Sequence, residues 1–476
     1  MIGITSYGAY VPLHRLGPET KGWDFPFEKA VGYYDEDSLT MAVAAALDCI
    51  GSGGRKAVDG LYFASTTAPY KEKLTSTTAA IACDLRNDIL TVDFANSLRA
   101  GTTALRTALD TIKAGSAKNL LVTASECGRL GHARDSFDQN NGDGAAAFLL
   151  GDKNVIATIE ASDTVSNEML DVWRLDGSKY VHAWEDRFIF EEGYYKVFPA
   201  AVTGFLKKQK LEPKDIGKIT FYASDRRRHT DMARRLGFKP EQVQDPLFGK
   251  MGNTGAAFSL MQLVAALEDA KPGDRILVAG YGNGVDVLLL KVTENIAGMA
   301  SRRGIKRNLA VKLTIPDYET YLGFRHNAPE GNYYPPVRPS VSAIARDRDV
   351  IYRLYAGKCE TCGTIQYPPQ RICTRCRAKD NTSPVRLSDR RARIFTYTLD
   401  NLAQIPAFDL PMVDTILDFE GGGRGCFQMT DRDPREVKVG LEVEMTFRKL
   451  HTAGEMNNYF WKCTPVRGAD TEKELK

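Results

Sequence analysis

The sequence has little of what marks secreted, membrane-spanning or strongly charged proteins. Its 476 residues include nine cysteines, too few to hold a chain of this length together by disulfides. No apolar run approaches the ~18–20 residues that cross a bilayer, and the N-terminus lacks the pattern of a secretory signal. The 63 basic and 60 acidic residues nearly balance, so charge alone predicts neither nucleic acid nor a membrane surface as partner. We therefore expect a cytoplasmic protein.

The composition is that of a folded globular chain. Hydrophobic residues make up 43% and charged residues 26%, a balance that excludes disorder as the dominant state. At roughly 100–200 residues per domain, the length predicts two to four domains.

Segments typical of strands and helices alternate through the first ~300 residues. The strand-like ILTVDFAN (89–96) precedes the helix-like LRAGTTALRTALDTIKAG (98–115). Later, KITFYAS (218–224) and FSLMQLVAALEDAKPG (258–273) repeat the pair. This alternation predicts an α/β layered fold with largely buried sheets. Residues 163–195 interrupt it, and we interpret them either as a substrate-facing segment or as a surface insertion that packs its own aromatic side chains.

The last third of the chain has a different character. Residues 301–345 are basic and then rich in proline and aromatics, which is typical of a tether between domains. Residues 346–380 contain a short helix and a cysteine cluster, and residues 381–476 contain short strands separated by Gly, Asp and Pro. Such strands predict a small all-β barrel or sandwich.

Four of the nine cysteines form the pattern C-x2-C-x10-C-x2-C: Cys359, Cys362, Cys373 and Cys376. Zn²⁺ binds four thiolates tetrahedrally at ~2.3 Å, and each C-x2-C turn places two sulfurs on one side of the ion. The spacing predicts a zinc ribbon, with two disulfides or an iron–sulfur cluster as the alternatives. Because the protein supplies all four ligands, we expect the metal to be structural and not catalytic.

Five motifs occur together over residues 1 to about 300. In chain order they are MIGITSYGAYVPLHRL, EKAVGYYDEDSLTMAVAAALD, ANSLRAGTTAL, QNNGDGAAAFLLG and KMGNTGAAFSLMQLVAALEDAKPGDRILVAGYGNG. Together they resemble 3-hydroxy-3-methylglutaryl-CoA synthase, a family of the thiolase superfamily. Further on, YRLYAGKCETCG, CTRC and the β-rich stretch resemble a second family, domain of unknown function 35. That family joins a zinc ribbon to an OB-fold and associates with thiolases and acyl-CoA.

The first resemblance implies a thiolase-like fold, in which two similar halves (1–165 and 166–300) stack into a five-layered α/β/α/β/α core. The second adds the zinc ribbon and an OB-fold domain after the linker. The resemblance also implies a homodimer, an acyl-CoA substrate of which CoA is a part, and carbon–carbon bond chemistry beside the thioester carbonyl. Because the two parts are often separate subunits, a thiolase-fold partner subunit is a further expectation.

The family's acyl-accepting cysteine lies at a strand-to-helix elbow with the pattern N-A-C-x-(G/A)-G-T-x-A-L. This chain reads N-S-L-R-A-G-T-T-A-L over residues 96–105, so Leu98 stands at the position of the nucleophile. A cysteine there would gain a lowered pKa from the helix N-terminus, but leucine cannot attack a thioester. Ser97 is adjacent, but at a sharp turn its side chain points another way. We expect Ser97, Leu98 and Arg99 to contact substrate.

The family's other two catalytic residues are also replaced. Its V-F-H-x-P aligns with the strand that ends in KITFYAS, which places Tyr222 at the histidine. Its G-S-E-S-x-P-Y aligns with ASTTAPY, which places Thr66 at the glutamate. Asn253, in GNTGAAFS, matches the asparagine that in the family helps to hold the acyl carbonyl oxygen.

Three interpretations of function follow. In the first, the chain catalyses aldol or retro-aldol chemistry on a β-hydroxyacyl-CoA, which needs an acid or base at the hydroxyl and donors for a thioester enolate. Tyr222 would be the acid/base, and to act as a base it would need a pKa lowered from ~10. Arg227, within the run Arg226–Arg228, would supply positive charge or contact the CoA 3′-phosphate. Thiolase-like aldolases that shorten steroid side chains offer an analogy.

In the second interpretation, the chain is a non-catalytic thiolase-fold subunit. It would scaffold or regulate a catalytic partner and bind acyl-CoA. In the third, it is an acyltransferase, that is a synthase, by a route that the residues do not reveal.

Overall fold

The protein is described here by a computed structural model that covers residues 1–51, 53–326 and 338–467. The chain divides into two compact units: Met1–Gly32 with Asp37–Tyr321 (unit 1), and Tyr33–Glu36 with Leu322–Lys476 (unit 2). Within the described part of the chain, no helix combines the length and the apolarity needed to cross a membrane.

Unit 1 alternates strands and helices. Its strands are β1 (Gly3–Tyr10), β2 (His14–Leu16), β3 (Lys29–Val31), β4 (Gly60–Ala64), β5 (Leu90–Phe94), β6 (Leu120–Glu126), β7 (Gly144–Gly151), β8 (Ala157–Ser166), β9 (Lys218–Phe221), β10 (Arg275–Tyr281), β11 (Gly284–Val292) and β12 (Leu313–Thr314). Its helices are α1 (Ser38–Ile50), α2 (Thr75–Ala82), α3 (Ala100–Lys113), α4 (Ser136–Asn140), α5 (Asp186–Phe188), α6 (Tyr195–Lys208), α7 (Arg226–Arg235), α8 (Phe258–Asp269), α9 (Gly304–Leu309) and the first part of α10 (Tyr318–His326). Shorter helical turns are Arg55–Ala57, Ile189–Tyr194, Pro213–Asp215, Pro240–Gln242, Gly255–Ala257 and Glu294–Met299.

Nine strands form one sheet in the order β5-β4-β6-β7-β1-β8-β11-β10-β9. The run β4-β6-β7-β1 recurs as β9-β10-β11-β8, with the same parallel first pair and the same antiparallel pairs after it. The two runs meet where β1 pairs antiparallel with β8, over Gly3↔Thr158 and Ile4↔Ala157. Unit 1 is therefore built from two similar halves, as the resemblance implies, and β8 (Ala157–Ser166) belongs to the second run.

Helices α3 and α8 form the middle layer, because each contacts strands of both halves. Helix α8 is buried on every side from Phe258 to Leu267, as expected of a helix between two sheet halves. Gly101 lets α3 approach closely, since a Cβ there would lie 2.3 Å from the Ala256 carbonyl oxygen. Helices α1 and α2 cover the first half, and α6 covers the second. The predicted α/β/α/β/α fold class is confirmed.

Unit 2 contains a small sheet and a barrel. Its elements are α11 (Val341–Arg346), α12 (Arg348–Ile351), β13 (Tyr355–Cys359), β14 (Ile365–Gln366), β15 (Thr382–Arg386), β16 (Ala392–Asp400), a 3₁₀ turn (Ala407–Asp409), β17 (Met412–Phe419), β18 (Arg424–Met429), β19 (Glu442–Ala453) and β20 (Met456–Pro465). The sheet has the order β14-β13-β15, and Cys359 of the cysteine cluster ends its central strand. The barrel is closed and has the order β16-β17-β18-β20-β19. Five strands in this order, with β18 and β20 parallel, form the predicted OB-type barrel.

The segment 301–345, predicted as a linker, contains regular structure over its described part. Helix α9, strand β12, helix α10 and most of α11 fall within it, and β12 pairs parallel with β2. Its proline- and aromatic-rich portion, 327–337, lies outside the described residues. The domain boundaries drawn from the sequence stay predictions.

A cluster of buried charges lies inside unit 2, and we call it the unit 2 charge cluster. Arg448, 1% exposed, places Nη1 3.1 Å from Asp35 and 2.7 Å from Glu36, and Nη2 2.6 Å from Asp431. Lys462 Nζ lies 2.9 Å from the second Asp35 oxygen. The cations thus face carboxylates from the distant segment Tyr33–Glu36, which explains why these four residues belong to unit 2.

Candidate active site

The elbow between β5 and α3 has the geometry of a sharp strand-to-helix turn. Asn96 adopts φ +63°, in the left-handed region that asparagine tolerates better than most residues. The turn packs against Gly282, where a Cβ would lie 2.8 Å from Ser97 Oγ and 2.9 Å from the Leu98 nitrogen. The sequence therefore builds the elbow of the resembled family although the cysteine is absent.

The residues on either side of Leu98 have structural partners. Ser97 donates its hydroxyl to the Gly282 carbonyl at 3.1 Å. Arg99 forms an ion pair with buried Asp286, Nη1 to Oδ1 3.1 Å. Neither lines the cavity described next, so their predicted contact with substrate stays a prediction, whereas Leu98 does line it.

A cavity of about 280 Å³ lies beside the elbow. It brings together Leu98, Tyr222 and Asn253, three of the positions that the sequence singled out. Leu98 is 8% exposed and packs in an apolar cluster with Tyr194, Tyr222 and Tyr281. The remaining lining residues are Arg129, Ser136, Phe137, Asn140, Asn141, Asp171, Val172, Ala183, Asp186, Ile189, Phe190, Tyr194, Ser224, Asp225, Arg228 and Tyr281.

Asn253 orients the Tyr222 hydroxyl. Its Nδ2 donates to the Ala223 carbonyl at 3.1 Å and to Tyr222 Oη at 3.4 Å, while its Oδ1 accepts from the Gly255 N–H at 2.9 Å. Because Tyr222 Oη accepts this hydrogen bond, its own hydrogen is left to donate to another acceptor. The pair therefore presents a hydrogen-bond donor at the cavity wall.

The pKa of Tyr222 bears on the acid/base role predicted for this residue. Burial raises the pKa of Tyr222 above its ordinary value of 10.0, although nearby Arg129 and the Asn253 hydrogen bond act in the opposite direction. A base at neutral pH would need the opposite shift. Tyr222 is thus suited to donate a hydrogen bond or a proton, and not to remove one.

The structure places a carboxylate in the cavity that the sequence reasoning missed. Asp171 lies in the segment 163–195, and it accepts a hydrogen bond from the Val172 N–H at 2.7 Å and another from the Tyr281 hydroxyl. Burial raises the pKa of Asp171 above its ordinary value of 3.8, despite those hydrogen bonds. Several residues of this segment line the cavity, which favours the substrate-facing interpretation of the two.

A buried cation in the cavity wall was also missed. Arg129 is 6% exposed, and its Nη1 donates to Asn141 Oδ1 at 3.2 Å. It follows β6 in a glycine-containing loop whose sequence gives no indication of a site. Its place in the cavity wall depends on its contacts with Phe137 and Asn141, which are known only from the fold.

Thr66, at the position of the family's glutamate, lies beside another carboxylate. Its N–H donates to Glu126 Oε1 at 2.8 Å, and the hydroxyl of Thr67 donates to Glu126 Oε2 at 2.7 Å. Burial raises the pKa of Glu126 above its ordinary value. Neither Thr66 nor Glu126 is among the cavity-lining residues, so contact between Thr66 and substrate stays a prediction.

The three arginines at the start of α7, Arg226–Arg228, differ in their contacts. Arg226 donates to the Phe248 carbonyl, and Arg228 pairs with Asp225 and lies over the Phe190 ring, 3.4 Å from its centroid. Arg228 lines the cavity, whereas Arg227 is exposed and does not. The proposed contact of Arg227 with substrate or CoA remains a prediction.

The four clustered cysteines meet the geometric requirement for a tetrahedral thiolate site. Their Sγ atoms all lie within 4.8 Å of one another, with Cys359 to Cys376 3.6 Å and Cys362 to Cys373 3.5 Å. Four thiolates at ~2.3 Å from Zn²⁺ would lie about 3.8 Å apart. Gly363 adopts φ +74° after the first pair, as a tight metal-binding turn requires.

Two family models match parts of the chain. "3-Oxoacyl-[acyl-carrier-protein (ACP)] synthase III C terminal" matches residues 206–290. "ChsH2, rubredoxin-like zinc ribbon domain" matches residues 347–382, which include all four clustered cysteines. The two matches agree with a thiolase-like unit followed by a zinc ribbon.

Solved structures share the fold of unit 1. A hydroxymethylglutaryl-CoA synthase complexed with CoA gives a TM-score of 0.59 at 14% identity, covering 68% of this chain and 89% of that one. The HMG synthase of the curacin pathway, in complex with an acetyl donor-ACP, gives 0.61 at 18% identity, covering 81% and 99%. At these identities, the likeness shows the fold alone.

Curated relatives are similar enough in sequence to show the family. The hydroxymethylglutaryl-CoA synthase of Methanopyrus kandleri is 32% identical over 312 residues, covering 62% of this chain and 89% of the relative. The enzyme of Aeropyrum pernix is 33% identical over 311 residues, covering 62% and 86%. With the elbow, the cavity and the repeated sheet, these matches show that the chain belongs to the hydroxymethylglutaryl-CoA synthase family.

Proposed function

We propose that the chain makes or breaks carbon–carbon bonds in CoA thioesters by aldol chemistry, without an acyl-enzyme. The observation that carries this proposal is the cavity at the elbow, where Leu98 replaces the nucleophile while Tyr222 and Asn253 still converge. Relatives named hydroxymethylglutaryl-CoA synthase, and a structural neighbour that binds CoA, support the CoA-thioester class. The substrate would be a β-hydroxyacyl-CoA.

Retro-aldol cleavage needs a base at the β-hydroxyl, and Asp171 is the carboxylate placed to supply it. Asp171 accepts the hydroxyl proton, and the O–H electrons form the new carbonyl as the Cα–Cβ bond breaks. The bonding pair passes to the thioester as an enolate. Asp171 then returns its proton to Cα, so the products are an aldehyde or ketone and a shorter acyl-CoA, and no co-reactant is consumed.

The enolate needs hydrogen-bond donors that are already in position when charge develops. Tyr222 donates its hydroxyl hydrogen to the thioester oxygen, and Asn253 holds the phenol in place through the 3.4 Å hydrogen bond. The raised pKa of Tyr222 keeps the phenol protonated and therefore a donor at neutral pH. This assignment keeps the acid part of the acid/base role expected for Tyr222 from the sequence and gives the part of the base to Asp171.

The second candidate function is a non-catalytic subunit that binds acyl-CoA and scaffolds a catalytic thiolase-fold partner. The replacement of all three family catalytic residues by Leu98, Tyr222 and Thr66 favours it. An acyltransferase route stays the third candidate, and no cysteine is among the residues that line the described cavity.

Three further proposals accompany the function. Zn²⁺ binds the four clustered thiolates and holds β13, β14 and β15 together. A homodimer forms through the edge strand β5, whose Leu90 and Val92 are 43% and 38% exposed. The cytoplasm is the proposed compartment.

The test is an assay of purified protein with a series of β-hydroxyacyl-CoA thioesters. We expect release of an aldehyde or ketone with a shortened acyl-CoA in equal amounts. Asp171→Asn should lower the rate ~10²–10⁴-fold. The matched control is Asp163→Asn, which changes an outward carboxylate of the same region that pairs with Lys208 and lies outside the cavity. Full activity of Asp171→Asn would exclude Asp171 as base, and no product across the series would favour the scaffold.

A further inference from the structure

A buried guanidinium in the cavity wall makes no direct ion pair. Arg129 is only 6% exposed, and none of the ion pairs among the described residues includes it, although it is near enough to Glu126 and Asp171 to act to lower their pKa values. Its side-chain contacts are the 3.2 Å hydrogen bond to Asn141 Oδ1 and the Phe137 ring, 5.8 Å from Cζ. Burying a cation is costly unless an anion compensates it, so a cavity that keeps one is suited to an anionic ligand.

Asn141 connects Arg129 to the loop that carries Asn253. Asn141 Nδ2 donates back to the Arg129 carbonyl at 3.0 Å, so one asparagine holds both ends of the residue. The backbone of Asn141 forms a bridge with Asn253, and the Gly142 N–H donates to the Asn253 carbonyl at 3.0 Å. Asn253 in turn contacts Tyr222 Oη, so the cation and the two neutral donors belong to one connected site.

The other charged groups of the cavity do not neutralise Arg129 directly. Arg228 and Asp225 pair with each other, and Asp186 is exposed at the start of α5. Asp171 is the remaining carboxylate of the lining, and no described ion pair joins it to Arg129, although the guanidinium acts to lower its pKa. Arg129 acts electrostatically on Tyr222, since it opposes the effect of burial on the pKa of that phenol.

We infer that Arg129 supplies the positive charge that binds the oxyanion formed on the thioester during the reaction, beside the Tyr222 and Asn253 donors. This inference rests on the proposed function and deepens it, because it adds a cation to a site that the sequence resemblance describes only with neutral donors. No bond to Arg129 forms or breaks: the guanidinium stays protonated throughout, and the negative charge passes from the Asp171 carboxylate to the enolate oxygen and back.

The experiment uses two CoA thioethers as probes. The nitroethyl thioether of CoA ionises to a nitronate, an anionic mimic of an enolate, and the ethyl thioether is its neutral match. We expect the wild-type chain to bind the nitronate at least ~10²-fold more tightly than the ethyl thioether. Arg129→Gln should lose this preference and keep its affinity for the ethyl thioether, while Arg129→Lys should keep part of it.

Arg134→Gln is the matched control, because Arg134 is exposed, pairs with Asp24 and lies outside the cavity. Near-UV circular dichroism confirms that each variant is folded; should Arg129→Gln fail to fold, the wild-type preference and its reduction in Arg129→Lys still decide the matter.

Two results would overturn the inference. They are an equal affinity of the wild type for both probes and a folded Arg129→Gln that keeps the preference. Nitronate preference without any carbonyl release would contradict the proposed function alone. Carbonyl release at the wild-type rate in Arg129→Gln would contradict the inference alone.

Discussion

Two buried arginines, one in each unit, differ in how their charge is compensated. Arg448 of unit 2 is 1% exposed, and three carboxylates lie within 3.1 Å of its guanidinium. Arg129 of unit 1 is 6% exposed, and its nearest polar side-chain partner is a neutral amide. A buried charge whose partners all come from the chain is part of the architecture. We infer that a buried cation such as Arg129, which lines a cavity without such partners, is compensated by a bound anion.

The same contrast separates the cysteine cluster from the elbow. In unit 2 the chain supplies four thiolates, a complete ligand set with no position left for chemistry. In unit 1 the elbow keeps its sharp turn and its close packing, but Leu98 offers no reactive atom. Each prediction below changes residues either in unit 2 or in the cavity of unit 1.

Removing a ligand from the cysteine cluster should have the largest effect, because binding of structural Zn²⁺ contributes on the order of 10 kcal/mol to folding. We expect about one Zn²⁺ per chain by elemental analysis, and its loss in Cys373→Ser with loss of hydrogen-exchange protection in β13, β14 and β15. Cys426→Ser, which changes an exposed thiol of the same unit, should keep the metal. Wild-type protein purified without chelator and free of metal would refute the site.

Arg448→Met should destabilise unit 2 by about 3–5 kcal/mol, because it leaves buried Asp35, Glu36 and Asp431 short of a cation. The free energy of local unfolding can be measured by hydrogen exchange in β19 and β20. Arg393→Met, which breaks an exposed pair with Glu442, should change it little. A loss no larger than in this control would mean that the cluster contributes nothing to stability.

Tyr222→Phe removes the donor of the cavity and keeps its ring. We expect the turnover of a β-hydroxyacyl-CoA to fall ~10²–10⁴-fold. Stability should change by about 1 kcal/mol or less, because the lost hydrogen bond is a long one. Tyr195→Phe, a partly exposed tyrosine outside the cavity, is the control. Wild-type turnover in Tyr222→Phe would remove the role assigned to the phenol.

The smallest effect is a pH dependence of the unit 2 charge cluster. Burial acts to raise the pKa of Asp35, but Lys462 and Arg448 outweigh it, so the pKa lies below its ordinary value of 3.8. A depressed carboxylate pKa stabilises the fold above the ordinary value, and this contribution is lost as pH falls through the folded-state pKa. The stability difference between wild type and Asp35→Asn should be constant above about pH 5 and shrink below about pH 4. A difference unchanged at about pH 3 would exclude this linkage.

The sequence allowed most of the fold to be predicted because its information there is local. Helical spacing in α3 and α8, the gapless elbow pattern and the C-x2-C pairs each depend on residues close together in the chain. The segment Tyr33–Glu36 was not expected in unit 2. Its placement depends on contacts with Arg448 and Lys462, which are more than 400 residues away in the sequence.

The candidate site was predicted only where a motif marked the position. Leu98, Tyr222 and Asn253 were found in this way, and the structure brings them to one cavity. Asp171 and Arg129 were missed because an aspartate in a long insertion and an arginine in a loop are ordinary residues until their burial and neighbours are known. The sequence also could not predict that the pKa of Tyr222 is raised, because the shift depends on burial by side chains distant in the sequence.

The central claim is carbon–carbon chemistry without an acyl-enzyme, and intact-protein mass spectrometry during turnover tests it most directly. The protein is mixed with a β-hydroxyacyl-CoA, quenched at intervals, and its mass is recorded while the carbonyl and acyl-CoA products are measured in the same samples. The account predicts accumulating products and an unmodified protein mass at every time point, because Leu98 offers no nucleophile. A stoichiometric acyl adduct that forms and decays with turnover, on Ser97 or on any cysteine, would contradict it.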